Sequence, residues 1–344
     1  MSYFPILLEK YKKDCVYLDW NKITCIDDNI VKKHDNLSIP QNPNIANKIC
    51  CIKLNGGLGT TLNFNHTKSF LQIHNYKIID IIIKNHFSQS HKIPLYFMNS
   101  FYSNNETNEY LKNNYIEHEI GTFNQNIFPR IFETDNNLPE TKKYYPPGHG
   151  DLFEALNNSG TLDKLTEQGI EYIFVSNSDN LGATIDLRIL NDIIDNNIDF
   201  AMEFVYKSLD DIKGGSLIKY DGHYKMFEIA QCEPNKLDLF SSIEKFKYFN
   251  TNNIWIKISE IKKLVQTNYL QDLDIIANKK IIDGHSCVQL EHALGSTVKF
   301  FKNISFYLVD RNRFIPIKNI NDYESIKNNY ILDETTWTLQ KKIN

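Results

Sequence analysis

The stretch with the most chemical content is Lys53-Leu-Asn-Gly-Gly-Leu-Gly-Thr-Thr61, which follows the apolar run Ile49-Cys-Cys-Ile52 and precedes Lys68. Glycine lacks a Cβ, so its backbone reaches conformations closed to other residues and lets peptide N–H groups close around anionic oxygens. A strand, a glycine-rich turn and a downstream lysine make a phosphate-binding arrangement, although the same residues also suit a tight turn with no ligand. Tyr144-Tyr-Pro-Pro-Gly-His-Gly-Asp151 sets His149 just before a helix expected from Phe153. Free N–H groups at a helix start attract anions, and the plainer alternative is a structural turn. Phe174-Val-Ser-Asn-Ser-Asp-Asn180 runs from an apolar strand into a cluster of oxygen ligands. An aspartate at such a strand end either holds Mg²⁺ beside phosphates or belongs to a helix cap. Asn250-Thr-Asn-Asn253 offers neutral amides suited to sugar hydroxyls, in a chain rich in asparagine throughout. Arg311, Arg313 and Lys318 either neutralise phosphate charge or form a solvated basic edge.

Other chemistries are excluded by what is missing. There is no Gly-x-x-x-x-Gly-Lys-Ser/Thr, no Gly-x-Ser-x-Gly, no His-Glu-x-x-His and no Cys-x-x-Cys, so neither an ordinary P-loop, a hydrolase elbow nor a zinc cluster is expected. The 10 histidines are scattered, and His149 alone sits in a motif.

The elements that must carry these loops alternate. Candidate strands are 48–54, 93–98, 171–176 and 200–206; candidate helices are 78–87, 105–114, 153–159 and 187–196. Short apolar runs separated by helical stretches are the rhythm of a βα-repeating fold with a mainly parallel sheet. Ligands bind such sheets at the carboxyl ends of the strands, where Asn55–Gly59, Asn99-Ser100 and Asn177–Asn180 fall. Further on, a strand pair over 216–219 and 224–229 turns at Asp221-Gly222, a strand covers 254–258, and Ser259 is expected to cap the next helix. A last helix is expected near 322–332. Residues 1–45 read as a helical lead-in with Trp20 as a packing anchor and little prospect of chemistry.

Bulk properties narrow the class. The 344 residues allow one large α/β domain or two smaller ones. A hydrophobic fraction of 42% and a charged fraction of 23% are those of a soluble globular protein. A net charge of -4 argues against nucleic acid and anionic membranes as partners. The six cysteines are expected as buried free thiols, with Cys50 and Cys51 on opposite faces of a strand. With no signal-peptide pattern at the N-terminus, a reduced, cytoplasmic setting is expected.

Taken together, the loops resemble those of the eukaryotic-type UTP-glucose-1-phosphate uridylyltransferases, or UDP-glucose pyrophosphorylases. The matching segments are Lys53–Thr60, Phe97–Ser100, Phe123–Gln125, Tyr145–Gly150, Glu171–Asn177, Asp179–Thr184, Lys213–Gly215, Phe249–Asn253 and Arg313–Lys318, in the family's order and spanning about residues 17–330. The resemblance implies a Rossmann-like, GT-A-like nucleotidyltransferase fold: a mixed, mainly parallel sheet flanked by helices. It divides the chain into the lead-in (1–45), a catalytic domain (46–330) and a short tail (331–344) without the β-helix domain that eukaryotic relatives carry. It further implies UTP and glucose 1-phosphate as substrates, Mg²⁺ as cofactor, and a monomer or weak dimer. Carried over by residue, Leu54, Asn55, Gly56 and Gly57 would line the UTP site, Gln125 and Gly148 would read the uracil edge, and His149 would face the sugar phosphate. Asn177, Gly215, Glu228 and Asn252 would bind glucose, Asp179 would hold Mg²⁺, and Lys68 and Lys318 would be the catalytic cations.

Two alternatives remain at this stage. One is a uridylyltransferase for N-acetylglucosamine 1-phosphate or galactose 1-phosphate, against which the Leu-Asn-Gly-Gly-Leu-Gly loop speaks. The other is a non-catalytic nucleotide-sugar sensor, against which the retention of Lys68, His149, Asp179 and Lys318 speaks. The chain also departs from the family pattern: Leu62-Asn63 replaces a methionine and glycine, and Thr67 replaces a proline before Lys68. How the backbone delivers Lys68 is therefore a question for the tertiary structure.

Overall fold

A computed structural model describes residues 3–13, 17–89, 91–134, 137–212 and 214–342. The main run of its 11-stranded sheet consists, in chain order, of β1 (Val31–Lys33), β2 (Ile49–Asn55), β3 (Leu95–Asn99), β4 (Ile120–Asn124), β5 (Tyr172–Asn177), β6 (Phe200–Tyr206), β7 (Tyr248–Lys257) and β8 (Ile304–Leu308). Their spatial order is β1-β8-β6-β7-β5-β2-β3-β4. All neighbours are parallel except at β7, which runs antiparallel to both β5 and β6.

The sequence explains why β2 is central. Ile49 and Cys51 join one core and Cys50 and Ile52 the other, all fully or almost fully buried. A strand covered on both faces has no polar alternation, which is the signature of a parallel sheet between helical layers. Burial pushes both thiols well above their ordinary titration range or upward from it, so they are inert packing groups. Cys15 lies outside the described residues.

The flanking helices follow the same logic. The helix Leu187–Asp195 buries Ile189, Leu190 and Ile193 on one face, and its N-cap Asp186 accepts from the N–H groups of Arg188 and Ile189 at 2.8 and 3.3 Å. The helix Ile78–Ser88 buries all five of its isoleucines, and the one carboxylate in that run, Asp80, is satisfied by Lys77 N–H and the Tyr110 and Tyr115 hydroxyls. Among the described residues no helix is long and apolar enough to cross a membrane.

Some elements differ from the sequence expectation. The first 45 residues are not helical throughout: after the helix Phe4–Lys13 they supply the edge strand β1 and a strand, Ile23–Cys25, that pairs with Ser216–Tyr220. The last helix ends at Asn329, short of the expected 332, and the tail is a hairpin, Tyr330–Asp333 with Thr338–Lys341, whose Trp337 packs against Tyr76. The helix after β7 begins at Ile258 without a Ser259 cap. The Asp221-Gly222 turn is as expected, both residues having positive φ (50° and 82°). Asp283-Gly284 makes the same turn, joining Ile276–Ile282 to His285–Glu291, and it carried the same signal.

Under β6 and β7 lies a buried polar network. Glu203, fully buried, accepts from Arg313 Nε and Nη2 at 2.8 and 2.7 Å, from Asn253 Nδ2 at 3.1 Å and from Trp255 Nε1 at 3.0 Å. Arg311 pairs with Asp211. Neither arginine is the free phosphate-neutralising cation that the sequence allowed, because each guanidinium is taken up by a carboxylate that burial would otherwise penalise. Removing one partner of a buried pair leaves the other uncompensated, so Glu203→Ala should lower unfolding stability by about 3–5 kcal/mol in a denaturant titration.

Candidate active site

The strand ends come level at one edge of the sheet. Register pairs Asn177 with Leu54, Asn55 with Asn99, and Asn99 with Asn124, so the loops that leave β2, β3, β4 and β5 surround one cleft. Its walls are Leu54, Gly56, Gly57, Lys68, Gln125, Pro146, Gly148, His149, Asn177, Ser178 and Asp179, around about 720 Å³ of free space. A site at the carboxyl ends of parallel strands is what this topology favours.

The glycine loop forms the floor. Ser100 Oγ donates to the Gly56 carbonyl at 2.8 Å and Ser103 Oγ to that of Asn55 at 2.8 Å, holding the turn from below. A Cβ on Gly56 would stand 2.0 Å from Gln125 Nε2, whereas one on Gly57 would meet nothing within 4 Å. A side chain at position 56 would therefore displace the Gln125 amide. Gly57 leaves open a backbone surface that a ligand can approach.

Beyond the glycines the chain closes a compact loop. Gly59 N–H donates to the His66 carbonyl at 3.1 Å, Leu58 and Thr67 form a bridge, and Lys68 N–H donates to the Gly57 carbonyl at 3.0 Å. Asn63 makes the reversal in the left-handed region, φ 53°. Glu106 grips the exit, accepting from Thr67 N–H at 3.0 Å and Thr67 Oγ1 at 2.7 Å and contacting His66 Nδ1 at 3.0 Å. A proline at position 67 could not donate the first of these bonds. Burial alone would raise the Glu106 carboxyl, but these bonds hold it below the usual range. The departure from the family pattern therefore still brings Lys68 opposite Gly57, where its Nζ meets Asp179 at 2.5 Å.

Gln125 and Gly148 meet on the opposite wall, Gly148 N–H donating to Gln125 Oε1 at 2.9 Å. His149 accepts from Leu294 N–H at its Nδ1, 3.0 Å, so its proton sits on Nε2. Burial pushes its pKa down to about 4. A neutral imidazole meets the cleft as a hydrogen-bond donor, not as a cation.

The remaining candidates cluster beyond Asn177. Asn252, at φ 58°, donates from Nδ2 to Asn177 Oδ1 at 2.9 Å, and its own Oδ1 is buried without a partner. Glu228 packs so close to Gly215 that a Cβ there would lie 2.4 Å from Oε1. Burial pushes Glu228 up to about 7 against the opposing charge of Lys318. Lys318 is itself lowered by burial, opposed by Asp211, Asp179 and Asp322, and its ammonium lies 4.7 and 5.1 Å from the ring centroids of Phe249 and Phe314. Its segment is laced to the loop after β5 through Leu181 N–H to Ile315 O (3.1 Å) and Ile317 N–H to Asp179 O (3.0 Å).

One predicted residue is not among these groups. Asn55 is buried and donates to Asn99 Oδ1 at 2.9 Å and Thr107 Oγ1 at 3.0 Å, tying β2 to β3 and to the helix Asn104–Asn114. Its side chain points away from the cleft because successive residues of a strand face opposite ways. Lys213, from the matched Lys213–Gly215, lies outside the described residues. Given no role were Pro146 and Ser178, which line the cleft, and Ser100, which supports its floor, all inside segments already quoted; missed were Ser103 and Glu106, whose hydrogen bonds are long-range and left no periodic signal.

A glycine loop, two lysines and facing amides at the carboxyl edge of a mainly parallel sheet define a nucleotidyltransferase. The family model described as UTP--glucose-1-phosphate uridylyltransferase matches residues 1–343. A Hordeum vulgare UTP--glucose-1-phosphate uridylyltransferase is 42% identical over 338 residues, covering 93% of this chain and 71% of its own. A Dictyostelium discoideum UTP--glucose-1-phosphate uridylyltransferase 2 is 39% identical over 355 residues, covering 98% and 70%. Among solved structures, a Trypanosoma brucei UDP-glucose phosphorylase superposes with a TM-score of 0.89 at 29% identity, covering 98% of this chain and 78% of that one. A variant Leishmania major UDP-glucose pyrophosphorylase in complex with UDP-glucose gives 0.89 at 28% identity, covering 99% and 77%. The chain belongs to the UTP--glucose-1-phosphate uridylyltransferase family.

The His149 environment has a direct readout. In long-range ¹⁵N–¹H spectra its ring should keep the neutral, Nε2-protonated pattern from about pH 8 down to about pH 5, with no titration near the usual histidine value of about 6.5. A midpoint near that value would contradict the buried neutral donor.

Proposed function

We propose that this chain transfers the uridylyl group of UTP to glucose 1-phosphate, giving UDP-glucose and pyrophosphate. The observation that carries the reading is the convergence of Gly57, Lys68, Asp179, Gln125, Gly148, His149 and Asn177 on one cleft, in a chain of this family. Gln125, whose Oε1 accepts from Gly148 N–H, keeps its Nε2 donor and a second lone pair on Oε1 for a uracil imide edge. The open backbone at Gly57, with Gly56 and Leu54 beside it, takes the ribose and phosphates. Asn177, Asn252, Gly215 and Glu228 take the glucose hydroxyls, the unpartnered Asn252 Oδ1 being a ready acceptor.

No general base is required. The phosphate oxygen of glucose 1-phosphate is already anionic; it attacks the α-phosphorus of UTP in line, the α–β P–O bond breaks, and pyrophosphate leaves with that electron pair. Lys68 and Lys318 neutralise the charge gathered on the phosphates, and His149 donates from Nε2 to a phosphate oxygen without titrating. Among the described residues no three His, Cys, Asp or Glu side chains gather into a metal cage. Asp179, in the cleft wall, fits Mg²⁺ all the same, since that ion takes one or two carboxylates and completes its shell with substrate oxygens. When bound it would supply further charge neutralisation at the phosphates. The Lys68–Asp179 contact holds both side chains where phosphate and Mg²⁺ would be bound.

Pyrophosphate release measured with UTP and a panel of sugar 1-phosphates tests the reaction; release with glucose 1-phosphate is expected, and none with any sugar would refute it. Lys68→Ala and Lys318→Ala should each lower turnover by about 10²- to 10³-fold, the range for one preorganised donor, and near-normal rates in both would sink the mechanism. Glu228 adds a pH effect. Below about pH 7 its carboxyl is protonated, and above it the carboxylate accepts more strongly from sugar hydroxyls. The KM for glucose 1-phosphate should therefore fall as pH rises through about 7, and Glu228→Gln should remove that component.

A further inference from the structure

Behind the Gln125–Gly148 pair stands a carboxylate that the proposed reaction does not use. Asp151 is fully buried, three residues after Gly148, and its Oδ2 accepts from Asn126 N–H at 2.6 Å. Its Oδ1 accepts from Asn126 Nδ2 at 2.7 Å and from the Tyr3 hydroxyl at 2.8 Å. Burial pushes the carboxyl up to about 6, opposed by the bonds from Asn126 and Tyr3, so at neutral pH it is an anion held by three donors. Asn126 is the residue after Gln125, and Asp151 N–H donates back to the Gly148 carbonyl at 3.2 Å. One carboxylate thus spans the two loops whose separation sets the Gln125–Gly148 spacing.

The third donor comes from the far end of the chain. Tyr3 is buried beside Phe128, ring centroids 4.9 Å apart, and Phe4 packs on the same ring at 5.4 Å. Together with Leu7, Tyr145, Val288 and Leu290 they form a separate small core under both loops. The N-terminal helix, which the sequence offered as a lead-in without chemistry, is wedged beneath the base-facing wall.

Resting on the reaction proposed above, we infer that Asp151 is a positioning residue for uracil recognition and that the Tyr3 hydroxyl completes its grip. A donor and an acceptor discriminate between bases only while their spacing is fixed, because a wrong base must then leave a polar group unpaired. Uracil presents an N3–H donor between two carbonyl acceptors, whereas cytosine presents an acceptor at N3 and an amino donor. Loosening the Asp151 grip lets Gln125 and Gly148 adjust to either edge.

The test is steady-state kinetics of the full chain and its Tyr3→Phe variant with UTP, CTP and glucose 1-phosphate. The variant keeps the ring and removes only the hydroxyl. The KM for UTP should rise about 3- to 10-fold, and the preference for UTP over CTP should fall by a similar factor, with kcat and the KM for glucose 1-phosphate unchanged. Asp151→Asn, which turns an amide NH₂ against donors, should move the same quantities further; if it fails to fold, the Tyr3→Phe comparison stands alone. An unchanged KM for UTP with unchanged base preference, even beside a lower melting temperature, overturns the inference, as does an equal loss toward UTP and CTP. A wild-type chain that releases no pyrophosphate with UTP overturns the reaction and this inference together, whereas an active wild type beside an unaltered Tyr3→Phe overturns the inference alone.

Discussion

The structure depends on burying β2 on both faces. Once Ile49, Cys50, Cys51 and Ile52 are packed between two layers, the strand has to emerge at an edge of the sheet, and its parallel neighbours β3 and β5 emerge at the same edge. Backbone groups leaving a ladder lose their partners together and need new ones. Here Ser100 and Ser103 meet the carbonyls of Gly56 and Asn55, and Gly57 is left facing open space. The phosphate-binding floor is in this sense a by-product of a doubly covered parallel sheet.

Charge is sorted around that floor by burial. Arg313 and Arg311 are paired with Glu203 and Asp211 and serve as braces. Lys53, which is buried, donates to Ser176 Oγ at 2.9 Å and the Ala183 carbonyl at 2.6 Å, away from the cleft. Lys68, by contrast, reaches the cleft, and Lys318 lies close enough to feel the charge of Asp179 and to oppose the upward push on Glu228. Their opposite numbers are few: Asp179, already engaged with Lys68, and Glu228, which burial brings to the edge of neutrality. Such a cleft suits an anionic substrate whose chemistry needs neutralisation rather than proton transfer, and the neutral His149 fits it.

Around this cleft a second layer of long-range contacts sets positions. Glu106 fixes Thr67 and so Lys68; Asn180 accepts from Ile315 N–H at 2.9 Å and steadies the segment that carries Lys318; Asp151 joins the two base-facing loops. Each bridges segments far apart in the chain, so a change in any of them reaches the cleft through the backbone of a neighbour.

The sequence by itself determined the βα rhythm, the bounds of β6, the extents of β2, β3 and β5 to within a residue or two, the strand-end loops and the motifs that identify the family. Apolar runs, glycines and cap residues act locally, and a local signal is legible in a string. Only the tertiary structure decided which way each side chain points and what it meets. It turned Asn55 into a strand tie, gave Arg313 to Glu203, made β1 out of the supposed lead-in, and folded the tail into a hairpin. It also carried the chain from Thr61 to Lys68 by a route its residues did not foretell. The physical reason is that backbone and buried polar groups are paired with whatever the fold brings beside them, and for Tyr3 and Asp151 that partner lies 148 residues away, a distance no periodicity reports.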